Sequence, residues 1–269
     1  MGKANSILRD LADQQPARKA GRRVARIAGM HRPSKDYHHL DGGGRNDGMP
    51  TDIGTESLAD AAFADAATEA LAALDPTLEG VIGRTGPLRL RLERNRFRMI
   101  VRAILSQQIS MAAARTIRLR FERLVRPHAV TAERVRGLSE KDVRAAGLTG
   151  QKTRYVLKAA EDVATGTVPL SGLGRMSDAE AIAHLTQLVG VGRWTAEMVL
   201  MFSLGRPDVF PVGDLGVRNA IRDLYGIEDE AACETLAETW RPYRSVATWY
   251  LWRHADQADV TQGLESYPV

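Results

Sequence analysis

From Ser57 almost to the end of the chain, apolar residues recur every three to four positions, a period that predicts helices throughout. An Ala-rich helix is expected over Ala61–Leu74, stopped by Asp75-Pro76. Phe97–Leu105 and Met111–Val125 follow. Ser139, with Asp142 three residues on, opens another helix, and Lys152–Thr165 forms the next. Ser177 and Glu180 make a capping-box pattern ahead of Ala181–Leu188. Helices are then expected over Trp194–Leu204, Leu215–Tyr225, Glu228–Thr239 and Ser245–His254. No alternating pattern of strand length interrupts them, so the core is read as all-α. Residues 1–55 lack the period. Their Gly-rich polar stretch around His38–Gly48 predicts a disordered arm ahead of a folded unit over 56–269.

Composition sharpens this picture. The 269 residues are 44% hydrophobic, enough for one large or two small domains with a real core. No run of 18 apolar residues is present, so no helical membrane span is expected. One cysteine, Cys233, allows no internal disulfide and cannot by itself hold an iron–sulfur cluster. The net charge of +4 hides a partition: residues 1–35 hold nine Lys or Arg and two acids, and residues 36–60 one Arg and six acids. Residues 84–126 hold twelve Arg and two Glu. Such a segment suits a phosphate-facing surface, or equally a pair of solvated helix faces. The basic arm suits nonspecific DNA affinity, a targeting remnant or a tail without a role. Its histidines, His31, His38 and His39, lack any further metal-ligand pattern. Arg outnumbers Lys 31 to 6, which hints at a GC-rich, bacterial genome and a cytoplasmic, nucleoid-associated protein.

Chemistry concentrates around Leu188-Val189-Gly190-Val191-Gly192-Arg193-Trp194-Thr195-Ala196. Two glycines flank one apolar residue between two helical segments. Glycine permits positive φ and close approach of another backbone or a phosphate. The helix that follows starts with outward N–H groups, which favour an anion. Such a helix–hairpin–helix grips a nucleic-acid backbone without reading its sequence. Asp214 follows at a helix start. There it is an ordinary N-cap, a chemical group beside the grip, or both.

Four segments in one order then carry a resemblance. They are Ala103-Ile104-Leu105-Ser106-Gln107-Gln108-Ile109-Ser110, the hairpin with Trp194, Asp208-Val209-Phe210-Pro211-Val212-Gly213-Asp214, and Trp240-Arg241-Pro242-Tyr243-Arg244-Ser245 running on to Trp252. Over about residues 70–256 the chain resembles the helix–hairpin–helix DNA glycosylases, and within them the 3-methyladenine DNA glycosylase II (AlkA-type) branch. It is similar to shorter members that lack an N-terminal β-rich domain. The resemblance implies two helical lobes, one of roughly 100–205 and one of 56–99 plus 206–256, with an active-site cleft between them.

It also implies roles. Asp214 is the catalytic carboxylate, stabilising positive charge on the sugar and orienting or deprotonating water. Bifunctional relatives carry a Lys nucleophile where Trp194 stands, and an indole forms no Schiff base, so abasic sites with intact strands are expected. Trp194, Met198, Leu215 and Trp252 would line the base pocket, and aromatic faces there attract cationic alkylated purines. Met198 and Leu215 depart from the family's aromatic pattern. The extruded base leaves a gap that Gln108 would fill as a wedge. Gln107, Ser110, Gly190, Val191, Gly192 and Thr195 are the other expected DNA contacts. No side-chain metal site or cofactor is implied, but the carbonyls of Thr186, Leu188 and Val191 would suit a structural Na+ or K+. The expected partner is double-stranded DNA with damaged bases, met by a monomer. The same fold acting on an oxidised purine or uracil, a noncatalytic hairpin module and a protein-interaction scaffold are the other readings.

Overall fold

The computed structural model describes residues 57–258. The basic arm with its histidines, and everything after 258, lie outside the described residues. Those described form twelve α-helices, one short 3-10 turn at Leu173–Arg175, and no strand. No helix among them is long and apolar enough to cross a membrane.

The helices are α1 (Ala61–Leu74), α2 (Pro76–Thr85), α3 (Arg96–Ser106), α4 (Met111–Leu124), α5 (Ala132–Arg136) and α6 (Glu140–Ala145), followed by α7 (Gly150–Ala164), α8 (Asp178–Leu185), α9 (Arg193–Phe202), α10 (Leu215–Tyr225), α11 (Glu230–Glu238) and α12 (Arg244–Ala258). Ends follow local chemistry. Asp60, Asn95, Ser110, Ser139, Thr149, Asp214 and Asp229 each cap a helix through a side-chain oxygen. Ser177 and Glu180 complete the expected capping box at α8. Two helices escape the sequence pattern. Asp75-Pro76 ends α1 but also begins α2: the Asp75 N–H donates to Leu71, its carboxylate caps Thr77 and Leu78, and Pro76 takes the first helical position. At five residues, α5 is too short to show a period.

The helices pack as two groups. In one, α3 lies against α4, α7 and α9, with α5 and α6 on α7 and α8 on α9. In the other, α1, α2 and α10 gather around α12, with α11 on α10. The groups run 96–202 and 61–85 plus 215–258. Apolar stripes cause this. Seven α3 residues from Phe97 to Leu105 are buried, and α9 is buried continuously from Thr195 to Phe202.

The groups meet along residues 203–209. Ser203 Oγ donates to the Glu93 carbonyl, and the Leu58 N–H to the Gly205 carbonyl. Ser245 Oγ accepts from the Val209 N–H and donates to the Arg206 carbonyl, both at 2.8 Å. Asp208 takes Arg241 and Arg244. On the second group, buried Asp75 also accepts from the Tyr225 hydroxyl at 2.8 Å and the Trp240 indole at 2.9 Å. Burial beside that carboxylate pushes the Tyr225 phenol far above its ordinary range.

Candidate active site

Asp214 occupies the point where the groups meet. As the N-cap of α10 it is only 3% exposed. Its Oδ1 accepts from the Val217 N–H at 2.9 Å and from the Trp252 indole N–H at 3.0 Å. Its Oδ2 accepts from the Trp194 indole N–H at 2.7 Å. One indole comes from α9 and the other from α12, so both groups orient one carboxylate. Gly213 and Leu215 on either side are exposed, Leu215 at 70%, which places the acid just beneath the surface. A side-chain carbon at Gly216 would lie 3.2 Å from Asp214 Oδ1 and 3.4 Å from the Trp252 ring. Glycine therefore leaves the carboxylate and its indole undisturbed.

The four expected pocket residues divide. Trp194 is partly exposed and Leu215 widely so. Met198 has no exposed surface and belongs to the core of α9, because its side chain faces inward between buried neighbours. Trp252 is 1% exposed and stacks on Phe202, ring centroids 5.6 Å apart. Neither presents a face to an incoming base in this conformation. Trp252 meets the site through its indole N–H on Asp214.

The hairpin lies against this site. Gly190 adopts φ +84°, and a side-chain carbon there would sit 2.2 Å from the Tyr155 ring of α7. Gly192 is exposed and is the N-cap of α9, which has no side-chain capping bond. The leading N–H groups of α9 thus start from an open residue. The Val191 side chain is buried, and its N–H donates to the Leu188 carbonyl. It fixes the turn. Thr195 is also buried, and its hydroxyl accepts from Gln107 Nε2 at 3.0 Å. The same amide donates to the Gly190 carbonyl at 3.0 Å, so Gln107 is tied into the hairpin rather than extended outward. Gln108 is exposed, with φ +55°, and Ser110 is the exposed N-cap of α4.

Thr186, Leu188 and Val191 offer carbonyl oxygens just past the C-terminal end of α8, where a helix presents negative dipole charge. Leu188 already accepts from the Val191 N–H, and a carbonyl has a second lone pair. No cluster of three or more His, Cys, Asp or Glu that could hold a metal occurs among the described residues.

Sequence reasoning missed Glu197, one turn along α9 from Arg193. Glu197 is 3% exposed, and Arg193 Nε donates to it at 2.8 Å from a largely exposed side chain. Burial, opposed by Arg193 and assisted by Asp214, pushes the Glu197 carboxyl up to about 7. The i,i+4 spacing was a readable signal, but the burial was not. The Arg-rich segment is partly structural. Arg89 pairs with Asp65, Arg98 and Arg102 with Glu93, and Arg102 also with Glu122, while Arg96 donates to the Leu170 carbonyl.

Residues 101–245 match the family model for the HhH-GPD superfamily base excision DNA repair protein. A DNA-3-methyladenine glycosylase of Schizosaccharomyces pombe is 34% identical over 187 residues, covering 68% of this chain and 82% of that relative. A putative DNA-3-methyladenine glycosylase of Bacillus subtilis is 32% identical over 178 residues, covering 61% of this chain and 60% of that relative. Among solved structures, the S. pombe 3-methyladenine DNA glycosylase in complex with abasic DNA superposes with a TM-score of 0.66 at 32% identity, over 73% of this chain and 99% of that one. With its hairpin, the capped carboxylate and these matches along one continuous segment, the chain belongs to the HhH-GPD superfamily of base excision DNA repair proteins.

Proposed function

We propose that the protein is a monofunctional DNA glycosylase that hydrolyses the N-glycosidic bond of alkylated bases, of the 3-methyladenine and 7-methylguanine type. The observation that carries this is Asp214, a carboxylate held on both oxygens beside the hairpin by two indole N–H groups and its own helix. Relatives named DNA-3-methyladenine glycosylases support the substrate class.

Cleavage of the glycosidic bond places positive charge on the sugar. A preoriented carboxylate at that face stabilises the charge without reorganising, and takes a proton from the attacking water. An alkylated purine already carries positive charge and leaves readily, so the acid's work is on the sugar and the water. The α9 N-terminus and hairpin hold the adjoining phosphate, and Gln108 fills the space left by the extruded base. Thr186, Leu188 and Val191 would hold an alkali cation, which when bound adds positive charge near that phosphate. Trp194 has no amine, so the reaction stops at an abasic site with the strand intact.

The test is release of bases from methylated duplex DNA by the wild-type chain and Asp214→Asn. Wild type is expected to release 3-methyladenine and to give no borohydride-trapped adduct. Asp214→Asn is expected to bind DNA and release no base. Near-normal release by that variant would overturn the assignment of the carboxylate. A trapped covalent adduct would overturn the monofunctional reading.

A further inference from the structure

We infer that Lys152 is a positioning residue for base extrusion, acting with Gln107 as a tether that fixes Gln108 relative to the hairpin. This rests on the reading of Gln108 as the wedge. No feature of the sequence around Lys152 marks it, since it stands in an ordinary helical segment forty-odd residues from the loop it holds.

The geometry is specific. α3 ends at Ser106, and a helix end leaves its last carbonyls without backbone donors. Lys152, in the first turn of α7, donates to two of the carbonyls there, Leu105 at 2.8 Å and Gln107 at 2.7 Å. A cation at that end also meets the negative pole of α3. Between and beyond these carbonyls the chain turns sharply, and Gln108 enters the left-handed region at φ +55°. A side chain with a Cβ adopts that conformation unfavourably unless its surroundings hold it there. The Lys152 ammonium closes one side of the turn. The Gln107 amide closes the other, on Gly190 and Thr195.

The base of this device is the start of α7. Tyr155, three residues after Lys152, lies directly under Gly190, where no side chain fits between them. The first two turns of α7 therefore support the wedge loop through Lys152 and the hairpin through Tyr155. Gln108 and the hairpin are held at a fixed separation. Extruding a base requires that separation, because the wedge must enter the stack while the neighbouring phosphate is gripped. Half-burial also pushes the Lys152 ammonium below its ordinary range, a cost a surface lysine of merely electrostatic use would not carry.

Duplexes with 2-aminopurine beside a methylated base report extrusion by fluorescence, alongside base release and binding of undamaged duplex. Lys152→Met is expected to lower kcat about tenfold to a hundredfold and to suppress the fluorescence rise, with Kd for undamaged duplex within about threefold. Lys152→Arg, which can still donate to both carbonyls, is expected to restore most of both signals. Lys152→Met with unchanged kcat and fluorescence would overturn the proposal, as would an equal loss in Lys152→Arg. If circular dichroism shows Lys152→Met to be unfolded, Gln107→Ala removes the other half of the tether, and the same loss of extrusion is required of it. Gln108→Ala separates the two readings. Its loss of extrusion with Lys152→Met unaffected removes the tether alone. Normal extrusion by Gln108→Ala removes the wedge and the tether with it.

Discussion

Glu197 is an acid buried on the helix that carries Trp194, with Arg193 as its cation and Asp214 as its like-charged neighbour. Its carboxyl is raised from 4.5 to about 7 in the folded chain. Between those values the folded state keeps a proton that the unfolded state releases. The contribution of Glu197 to stability is therefore full below about pH 4.5, falls as pH rises through the window, and is lost above about 7. A shift of that size is worth on the order of 3 kcal/mol. Glu197→Gln, neutral at every pH, is expected to remove that fall. The check is the thermal midpoint of both chains at pH 5 and pH 8. The wild type should lose several degrees more than the variant between them, and parallel losses would refute it. The capping position of Asp214 could be read in the sequence because it depends on local pattern, a helix start after a hairpin. Glu197, Lys152 and the true partner of Gln107 could not. Their meaning lies in burial and in contacts with residues far along the chain.

At the level of the element, α10 separates two jobs of one side chain. Asp214 caps the helix through the Val217 N–H, and it also presents a carboxylate to the site. Asn caps a helix about as well as Asp, whereas Ala loses about 0.5–2 kcal/mol. Asp214→Ala also leaves the Trp194 and Trp252 indoles without the acceptor they share. A buried donor stripped of its partner costs about 1–3 kcal/mol. Asp214→Asn keeps the Val217 and Trp252 bonds through its one oxygen but sets an NH2 against the Trp194 N–H, so it should melt a little below wild type, while Asp214→Ala should melt several degrees lower. Equal melting of the two would mean that the indoles find other acceptors. Helices with caps and long periods were legible. The helix after Asp75 was not, because one residue both stops α1 and starts α2, and a Pro at the first helical position reads as a stop from one side.

For the molecule as a whole, the site exists only because two groups of helices are joined. Trp194 arrives on α9 and Trp252 on α12, and Phe202 stacks on Trp252 across the join. Ser245, with no exposed surface, pins the start of α12 to the connecting segment through Val209 and Arg206. Trp252 lies seven residues further along the same helix, two turns from the pin, so a shift at Ser245 is carried to the indole by a rigid element. Ser245→Ala leaves the buried Val209 N–H without an acceptor, at about 1–3 kcal/mol. For a fold of this size that lowers the thermal midpoint by roughly 3–10 °C. The same change should slow base release more than it weakens DNA binding. The hairpin contacts on α9 remain intact, while one of the two indoles orienting Asp214 moves. Thermal melting, single-turnover base release and duplex Kd measured on one preparation decide it. A lowered midpoint with unchanged release would show that α9 and α10 orient the carboxylate without the join.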